Sequence, residues 1–147
     1  MECETRVLPR IAAPPIGRVV IVDDDPVCRA ALEQAFRRRN VQTVSFEDGA
    51  EAWRNIQEGP EASLVIVNWM LPGLDGHRMC QWLAQQSPGT TTVLMVGRHF
   101  ASEVRGGMGF WPHRILPKPF VTARIDREVR RIMALVFRRA AEKTWRP

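Results

Sequence analysis

Hydrophobic and polar positions follow two alternating patterns along this chain. Apolar-rich segments of strand length occur five times, at 18–22, 41–46, 64–67, 91–96 and 114–116. All but the weaker second segment are nearly continuous apolar runs, which is typical of strands buried on both faces. Segments with apolar residues at helical spacing follow them, at 26–39, 48–58, 75–86, 100–107 and 122–143. Five strand–helix units in succession predict an α/β protein with a doubly wound five-stranded parallel sheet.

The ends of the predicted helices carry the residues that such ends prefer. Pro26 suits the first turn of the first helix, and Asp25 before it is favourable at the positive end of the helix dipole. Spacing in that helix predicts an inward face formed by Val27, Ala31, Leu32, Ala35 and Phe36. The fourth helix is the poorest, because three glycines between 106 and 109 crowd its end.

Charge is concentrated at the end of the chain. The 147 residues, 45% hydrophobic and 25% charged, fit one globular domain with a net charge of +5. Residues 119–147 hold eight basic and three acidic side chains and therefore the entire excess. A solvated helix face is the ordinary interpretation of such a segment, while contact with nucleic acid, an anionic membrane or an acidic partner stays open.

Cysteines and hydropathy indicate the compartment. Cys3, Cys28 and Cys80 are odd in number and include no CxxC pair, so they predict neither a disulfide framework nor a metal site. No apolar run approaches the length of a membrane span, and the first residues do not resemble a signal peptide. We therefore expect a cytoplasmic protein.

Polar residues follow the predicted strands at the edge where parallel strands end. Asp23 and Asp24 come directly after the first strand, Asn68 after the third, Gly97 after the fourth and Lys118 after the fifth. In parallel sheets the site lies beyond the carboxyl ends of the strands. The pattern predicts a pocket in which an acid pair and an amide lie near a lysine.

Three motifs carry a resemblance to a known family. They are Val-Asp-Asp-Asp-Pro at 22–26, Leu-Pro-Gly-Leu-Asp-Gly at 71–76 and Pro-Lys-Pro-Phe at 117–120. In this order and spacing the chain resembles the receiver domain of two-component response regulators over residues 17–137. The resemblance implies a CheY-like, flavodoxin-like (βα)5 fold with strand order 2-1-3-4-5. Residues 1–16 would be an N-terminal extension, and 138–147 a basic tail that continues the last helix.

The resemblance assigns roles to several residues that the chain retains. Asp23, Asp24 and the backbone carbonyl of Met70 match the positions that hold Mg²⁺ in the family. Lys118 matches the lysine that pairs with the phosphoryl group, and the Lys118–Pro119 bond matches one that is commonly cis.

Three positions depart from the family pattern. Asn68 stands where an aspartate accepts the phosphoryl group, Gly97 where a serine or threonine contacts it, and Ile115 where an aromatic residue swings inward. An amide oxygen is a poorer nucleophile than a carboxylate, and a neutral ligand weakens Mg²⁺ binding. The resemblance therefore implies a pseudo-receiver that has kept its scaffold and lost its phosphorylation cycle.

The functional prediction is a non-enzymatic, single-domain signalling protein of a phosphorelay. It would act by binding a sensor histidine kinase, a phosphotransfer protein or another response regulator, with no cofactor required beyond a weak Mg²⁺ site. No DNA-binding domain is expected, and the oligomeric state is not predicted. Phosphorylation at a different residue such as Asp24, or an adaptor role for the basic tail toward an anionic partner, remain as alternatives.

Overall fold

The computed structural model describes residues 16–100, 112–118 and 122–144 and contains a five-stranded parallel sheet. Its strands are β1 Arg18–Val22, β2 Thr43–Phe46, β3 Ala62–Asn68, β4 Thr91–Gly97 and β5 Arg114–Lys118. Their spatial order is β2-β1-β3-β4-β5, which confirms the predicted order. β2 begins two residues later than predicted, and β3 and β5 are longer than predicted. The predicted N-terminal extension lies almost wholly outside the described residues.

Four α-helices cover the sheet in the described part of the chain. They are α1 Pro26–Arg37, α2 Gly49–Glu58, α3 Gly76–Gln86 and α4 Thr122–Thr144. One 3₁₀ turn at Arg98–Phe100 follows β4, and the helix predicted at 100–107 lies, except for Phe100, outside the described residues. Within these ranges, no helix has the length and hydropathy that a membrane crossing requires.

Three aspartates cap the N-termini of helices that follow strands. Asp25, Asp48 and Asp75 each accept a hydrogen bond from a backbone N–H in the first turn of the following helix, at 2.9, 2.7 and 2.8 Å. Such caps satisfy backbone donors that have no partner within the helix. Asp25 therefore serves the start of α1, which separates it from the acid pair that precedes it.

The two faces of the sheet carry separate apolar layers. On one face, Val19 and Ile21 of β1 pack with α1 and α4, and on the other, Val20 and Val22 pack with α2 and α3. Strands buried on both faces explain why the apolar runs are continuous. The sheet is therefore a rigid platform for the residues at its carboxyl edge.

The predicted inward face of α1 is correct except at its first member. Leu32, Ala35 and Phe36 are buried, and Ala31 packs against the same layer, but Val27 is 74% exposed. Val27 lies five residues before Leu32, which places it about 140° away around the helix. Its prediction as a core residue was wrong for this reason.

Two glycines shape the loop between β3 and α3. Gly73 has a φ of +81°, a conformation that side chains with a Cβ rarely adopt. A Cβ on Gly76 would lie 2.1 Å from the backbone oxygen of Asn68. The Leu-Pro-Gly-Leu-Asp-Gly motif is thus explained by one turn that favours glycine, one helix cap and one close approach to the end of β3.

Candidate functional site

The carboxyl ends of the strands bring the predicted pocket residues together. Asp23 follows β1, and its N–H still donates to the carbonyl of Phe46 at the end of β2, at 3.0 Å. Asn68 ends β3 and Lys118 ends β5, so both side chains leave the sheet at the same edge. Asp23 is fully buried, whereas Asp24 beside it is exposed. The acid pair therefore has one member inside the pocket and one at its mouth.

The buried acid is paired with the lysine. The Nζ of Lys118 lies 2.6 Å from Oδ2 of Asp23, and the N–H of Asp25 donates to Oδ1 of Asp23 at 3.0 Å. Burial raises the pKa of Asp23 above its usual range, while Lys118 and the Asp25 N–H oppose that rise. Oδ1 thus accepts a backbone hydrogen bond, whereas the buried Oδ2 is paired with Lys118 by charge and accepts no hydrogen bond from the residues that the structure describes.

The Asn68 amide nitrogen contacts the other two oxygens that the sequence assigned to Mg²⁺, one on Asp24 and one on Met70. Its Nδ2 donates to Oδ1 of Asp24 at 3.3 Å and to the backbone carbonyl of Met70 at 3.0 Å. An amide nitrogen carries two hydrogens, and the two contacts use both. A carboxylate at this position could make neither bond, because it is an acceptor facing two acceptors.

The donor set fits a divalent cation poorly. Mg²⁺ requires oxygen ligands in near-octahedral geometry. Of the oxygens that the sequence assigned to it, those of Asp23 face Lys118 and a backbone N–H, while Asp24 Oδ1 and the Met70 carbonyl accept from Asn68. Across the described ranges, no group of three or more His, Cys, Asp or Glu side chains is placed to hold a metal.

Two aromatic side chains lie beside the pocket, where the strand end at Gly97 carries no side chain. A Cβ on Gly97 would meet the ring of Phe100 at 3.6 Å, an ordinary contact distance. Phe100 in turn packs edge-on against Trp69, with ring centroids 5.6 Å apart and an interplanar angle of 75°. Nothing in the sequence indicated this contact between Phe100 and Trp69.

The remaining predicted switch position lies within the sheet. Ile115 is partly buried and packs against the apolar layer under α2 and α3. The predicted cis bond after Lys118 involves Pro119, which is outside the described residues. The switch role predicted for Ile115 and the cis geometry predicted for the Lys118–Pro119 bond therefore stay predictions.

His113 has a structural contact that the sequence did not indicate. Its Nδ1 accepts a hydrogen bond from the N–H of Thr92 at 2.9 Å, just before β5 begins beside β4. His113 is exposed as a whole, but partial desolvation of its ring lowers the pKa of His113 to about 4, and the nearby Arg139 guanidinium adds to the effect. The neutral imidazole therefore continues the hydrogen bonding of β4 beyond the start of β5.

Sequence comparison identifies relatives of this chain. Residues 19–130 match the response regulator receiver domain. The chain is 34% identical over 114 residues to the transcriptional activator protein PfeR of Pseudomonas aeruginosa, covering 76% of this chain and 36% of that protein. It is 33% identical over 128 residues to the transcriptional regulatory protein PrrA of Mycobacterium leprae, covering 86% and 53% respectively. The chain thus spans between 36% and 53% of the length of these two relatives.

Solved structures share the fold at lower sequence identity. The signal receiver domain of an HD domain-containing protein from Pseudomonas fluorescens Pf-5 gives a TM-score of 0.75 at 22% identity, covering 92% of this chain and 98% of that one. The chemotaxis response regulator CheY4 of Vibrio cholerae gives 0.69 at 19% identity, covering 80% and 99%. With the fold and the family match in agreement, the chain belongs to the response regulator receiver domain family.

Proposed function

We propose that this receiver domain is a pseudo-receiver that works in two-component signalling by binding other proteins, without being phosphorylated. The observation that carries the proposal is the Asn68 amide, which donates to Asp24 Oδ1 at 3.3 Å and to the Met70 carbonyl at 3.0 Å. The family assignment supports the signalling context. The identity of residue 68 and its contacts support the loss of the phosphorylation cycle.

The chemistry of phosphoryl transfer supports this proposal. Transfer to a side chain needs an anionic nucleophile in line with the leaving group and cationic charge around the transferred group. Asn68 offers no anionic oxygen, and its nitrogen is directed at two acceptors of the same pocket. Lys118, the cation of the pocket, is held by the buried Asp23 at 2.6 Å. The pocket therefore lacks an anionic nucleophile at residue 68, and the positive charge of Lys118 is already engaged by Asp23.

The same contacts favour one fixed conformation of the pocket. In an ordinary switch, a ligand or modification changes the balance between two conformations through contacts that differ between them. Here the bonds from Asn68 join β3, the loop after β1 and the loop after β3 without any added ion. We therefore propose that the binding surface around this edge is always in the same state.

The proposed partners are the proteins that receivers meet in a phosphorelay. A sensor histidine kinase, a phosphotransfer protein or another response regulator could be bound in a fixed manner, so that the chain competes with a phosphorylatable receiver. Two apolar side chains near the pocket residues are exposed to solvent. Met70, whose carbonyl accepts from Asn68, is 67% exposed, and Val27, three residues after Asp24, is 74% exposed. Both offer apolar contact area to a partner. The domain itself would perform no catalysis in this role.

Phosphorylation of Asp24 is the competing proposal. Its carboxylate is exposed and lies in the same pocket as the amide. The observation against it is the position of Lys118, whose ammonium group pairs with Asp23 and not with Asp24. A phosphoryl group on Asp24 would gain its charge stabilisation only after that buried ion pair had opened.

Intact-mass measurement after incubation with Mg²⁺ and a small-molecule phosphodonor tests these proposals. We expect the wild-type chain to gain no phosphoryl mass and the Asn68→Asp variant to gain one. A gain by wild type that disappears in Asp24→Ala would establish the competing proposal. A gain by wild type that survives in Asp24→Ala would refute both and require the acceptor to be mapped.

A further inference from the structure

The outward side of α4 carries a row of arginines. Arg124, Arg127, Arg131 and Arg138 are exposed and, at 100° per residue, fall within about 60° of one another around the helix. Arg130 is also exposed and adjoins this row. We call these five residues the arginine face. From Arg124 to Arg138 it extends about 21 Å along the helix axis.

The carboxylates of α4 do not neutralise this face. Asp126 is bound by Arg38 and Arg39 of the segment that ends α1, at 3.0 and 3.3 Å. Glu128 is buried and pairs with Arg114 at 2.7 Å, and of the arginine face it contacts Arg131 alone, at 3.0 Å. Glu142, exposed one turn after Arg138, offsets one of the five positive charges. Among the described residues, the arginines of the face other than Arg131 have no carboxylate within ion-pair distance.

The composition of the face distinguishes between classes of anionic partner. Its other exposed members are Ala123, Ala134, Ala141 and Glu142, and Leu135 beside them is only partly exposed, so it presents no fully exposed aromatic or large aliphatic side chain. Aromatic anchors usually accompany arginine at protein interfaces, and an amphipathic helix needs large apolar side chains to enter a membrane. The apolar side of α4 is not available for insertion, because Ile125, Val129 and Ile132 are buried against the sheet.

Phosphodiester backbones match the remaining features. The guanidinium group binds phosphate oxygens in a planar, bidentate geometry that lysine cannot reproduce, and the face contains arginine alone among basic residues. A row of about 21 Å laid along a duplex extends over about six base pairs, at 3.4 Å of helix axis each. A linear row of charges suits a linear polyanion better than it suits a compact acidic patch.

We propose that the arginine face of α4 is a binding site for duplex nucleic acid, which contacts the phosphate backbone without reading the sequence. The exposed side chains of the face are five arginines, three alanines and Glu142, so its attractive contacts are electrostatic and their strength does not depend on base order. This activity is separate from the pocket at Asn68 and goes beyond the proposed signalling role. It would keep the signalling domain close to DNA or RNA.

The salt dependence of binding provides a quantitative test. Each neutralised phosphate contributes about −0.9 to the slope of log K against log salt concentration, so five contacts predict a slope of about −4.5. Between 50 and 200 mM NaCl the affinity should then fall about 500-fold. Neutralising two arginines should reduce the slope to about −2.7 and the fall to about 40-fold.

The experiment measures fluorescence anisotropy of a labelled 20-base-pair duplex titrated with the full chain at several NaCl concentrations. Arg127→Gln/Arg138→Gln is the test variant, and Arg54→Gln/Arg78→Gln is the control, because those two exposed arginines lie on α2 and α3. Both variants lose two positive charges. We expect the test variant to show the reduced slope, the control to keep the wild-type slope, and a duplex of scrambled sequence to bind equally well.

Three results would overturn the proposal. The first is no binding at 50 mM NaCl, and the second is an equal loss in the control variant, which would make the effect one of net charge alone. The third is binding to polyglutamate, or to vesicles containing anionic phosphatidylserine, that is as tight as binding to the duplex. That last result would assign the face to an acidic protein or to a membrane surface. An Asn68→Asp variant should bind the duplex as wild type does.

Discussion

The substitution Asn68→Asp should make the stability of this domain depend on Mg²⁺. The wild-type amide donates to Asp24 Oδ1 at 3.3 Å and to the Met70 carbonyl at 3.0 Å. An aspartate of the same shape would lose both bonds and bring a second carboxylate beside that of Asp24. Without a cation, Lys118 alone would face three acidic groups, and it already pairs with Asp23.

The size of the effect follows from these contacts. Two lost hydrogen bonds cost about 1 kcal/mol each at most, and less where water replaces the partner. Two unit charges at about 4 Å repel by about 1 kcal/mol in bulk water and about 4 kcal/mol near a protein surface. Since Asp24 is exposed, we expect a total of about 2–4 kcal/mol. For a domain of this size that corresponds to a fall in Tm of about 4–16 °C.

Thermal unfolding followed by circular dichroism, with 10 mM Mg²⁺ or with EDTA, measures this dependence. Asn68→Asp should be destabilised in EDTA and recover most of the loss in Mg²⁺, whereas wild type should respond little to the ion. Asn68→Ala is the matched control, since it removes the amide without adding charge and should unfold slightly earlier in both conditions. Equal stabilisation of wild type and Asn68→Asp by Mg²⁺ would refute the reasoning, as would an Asn68→Asp variant that is fully stable in EDTA.

Three further predictions concern the surroundings of the pocket. Lys118→Met should reduce the free energy of unfolding in urea at pH 7 by about 3–5 kcal/mol, because Asp23 is fully buried and would lose its counter-ion. Adding Asp23→Asn to this variant should restore most of the lost stability. A loss below about 1 kcal/mol in Lys118→Met alone would contradict the importance of the ion pair. His113, with its pKa lowered from 6.5 to about 4 by partial desolvation of its ring and by a nearby guanidinium, favours the neutral form in the fold. The contribution of the neutral His113 ring to folding stability is therefore intact above pH 6.5 and is lost as the pH falls toward 4. Wild type should lose more stability to urea across that window than His113→Gln, which retains an acceptor for the Thr92 N–H. Parallel pH profiles of the two proteins would refute this. Gly76→Ala should cost about 1–3 kcal/mol in the same assay, since its Cβ would lie 2.1 Å from a backbone oxygen, and an unchanged midpoint would show that the loop relaxes freely.

The sheet could be predicted from the sequence because its determinants are local and repeated. Continuous apolar runs identify strands buried on both faces, and a cap or a proline marks where a helix begins. Asp48 and Asp75, for example, directly precede the helices that they cap. The resemblance then supplied the strand order, which periodicity alone could not determine.

The hydrogen bonding of the pocket could not be predicted in the same way. The sequence placed Asn68, Asp24 and Lys118 at one edge, yet it did not determine which acid the lysine would choose or which way the amide would point. Those choices depend on burial, since Asp23 is fully enclosed and requires a counter-ion whereas Asp24 is hydrated. Depth inside a pocket is a property of the folded loops and does not appear in the order of residues.

Helical spacing also failed at the start of α1. Val27 has the hydrophobicity of a core residue but lies in the first turn, rotated away from the face that Leu32 and Phe36 define. A pattern that averages over a whole helix does not detect one residue that lies outside its face.

The side-chain amide of Asn68 can be observed directly by ¹H–¹⁵N NMR spectroscopy during addition of Mg²⁺ and a phosphodonor. The account predicts that both amide proton signals of wild type keep their positions at millimolar Mg²⁺, because the bonds to Asp24 and Met70 occupy the place of the ion. Saturable shifts of these signals, together with shifts of the Asp23 and Lys118 resonances, would show that a cation displaces the amide and would contradict the central claim.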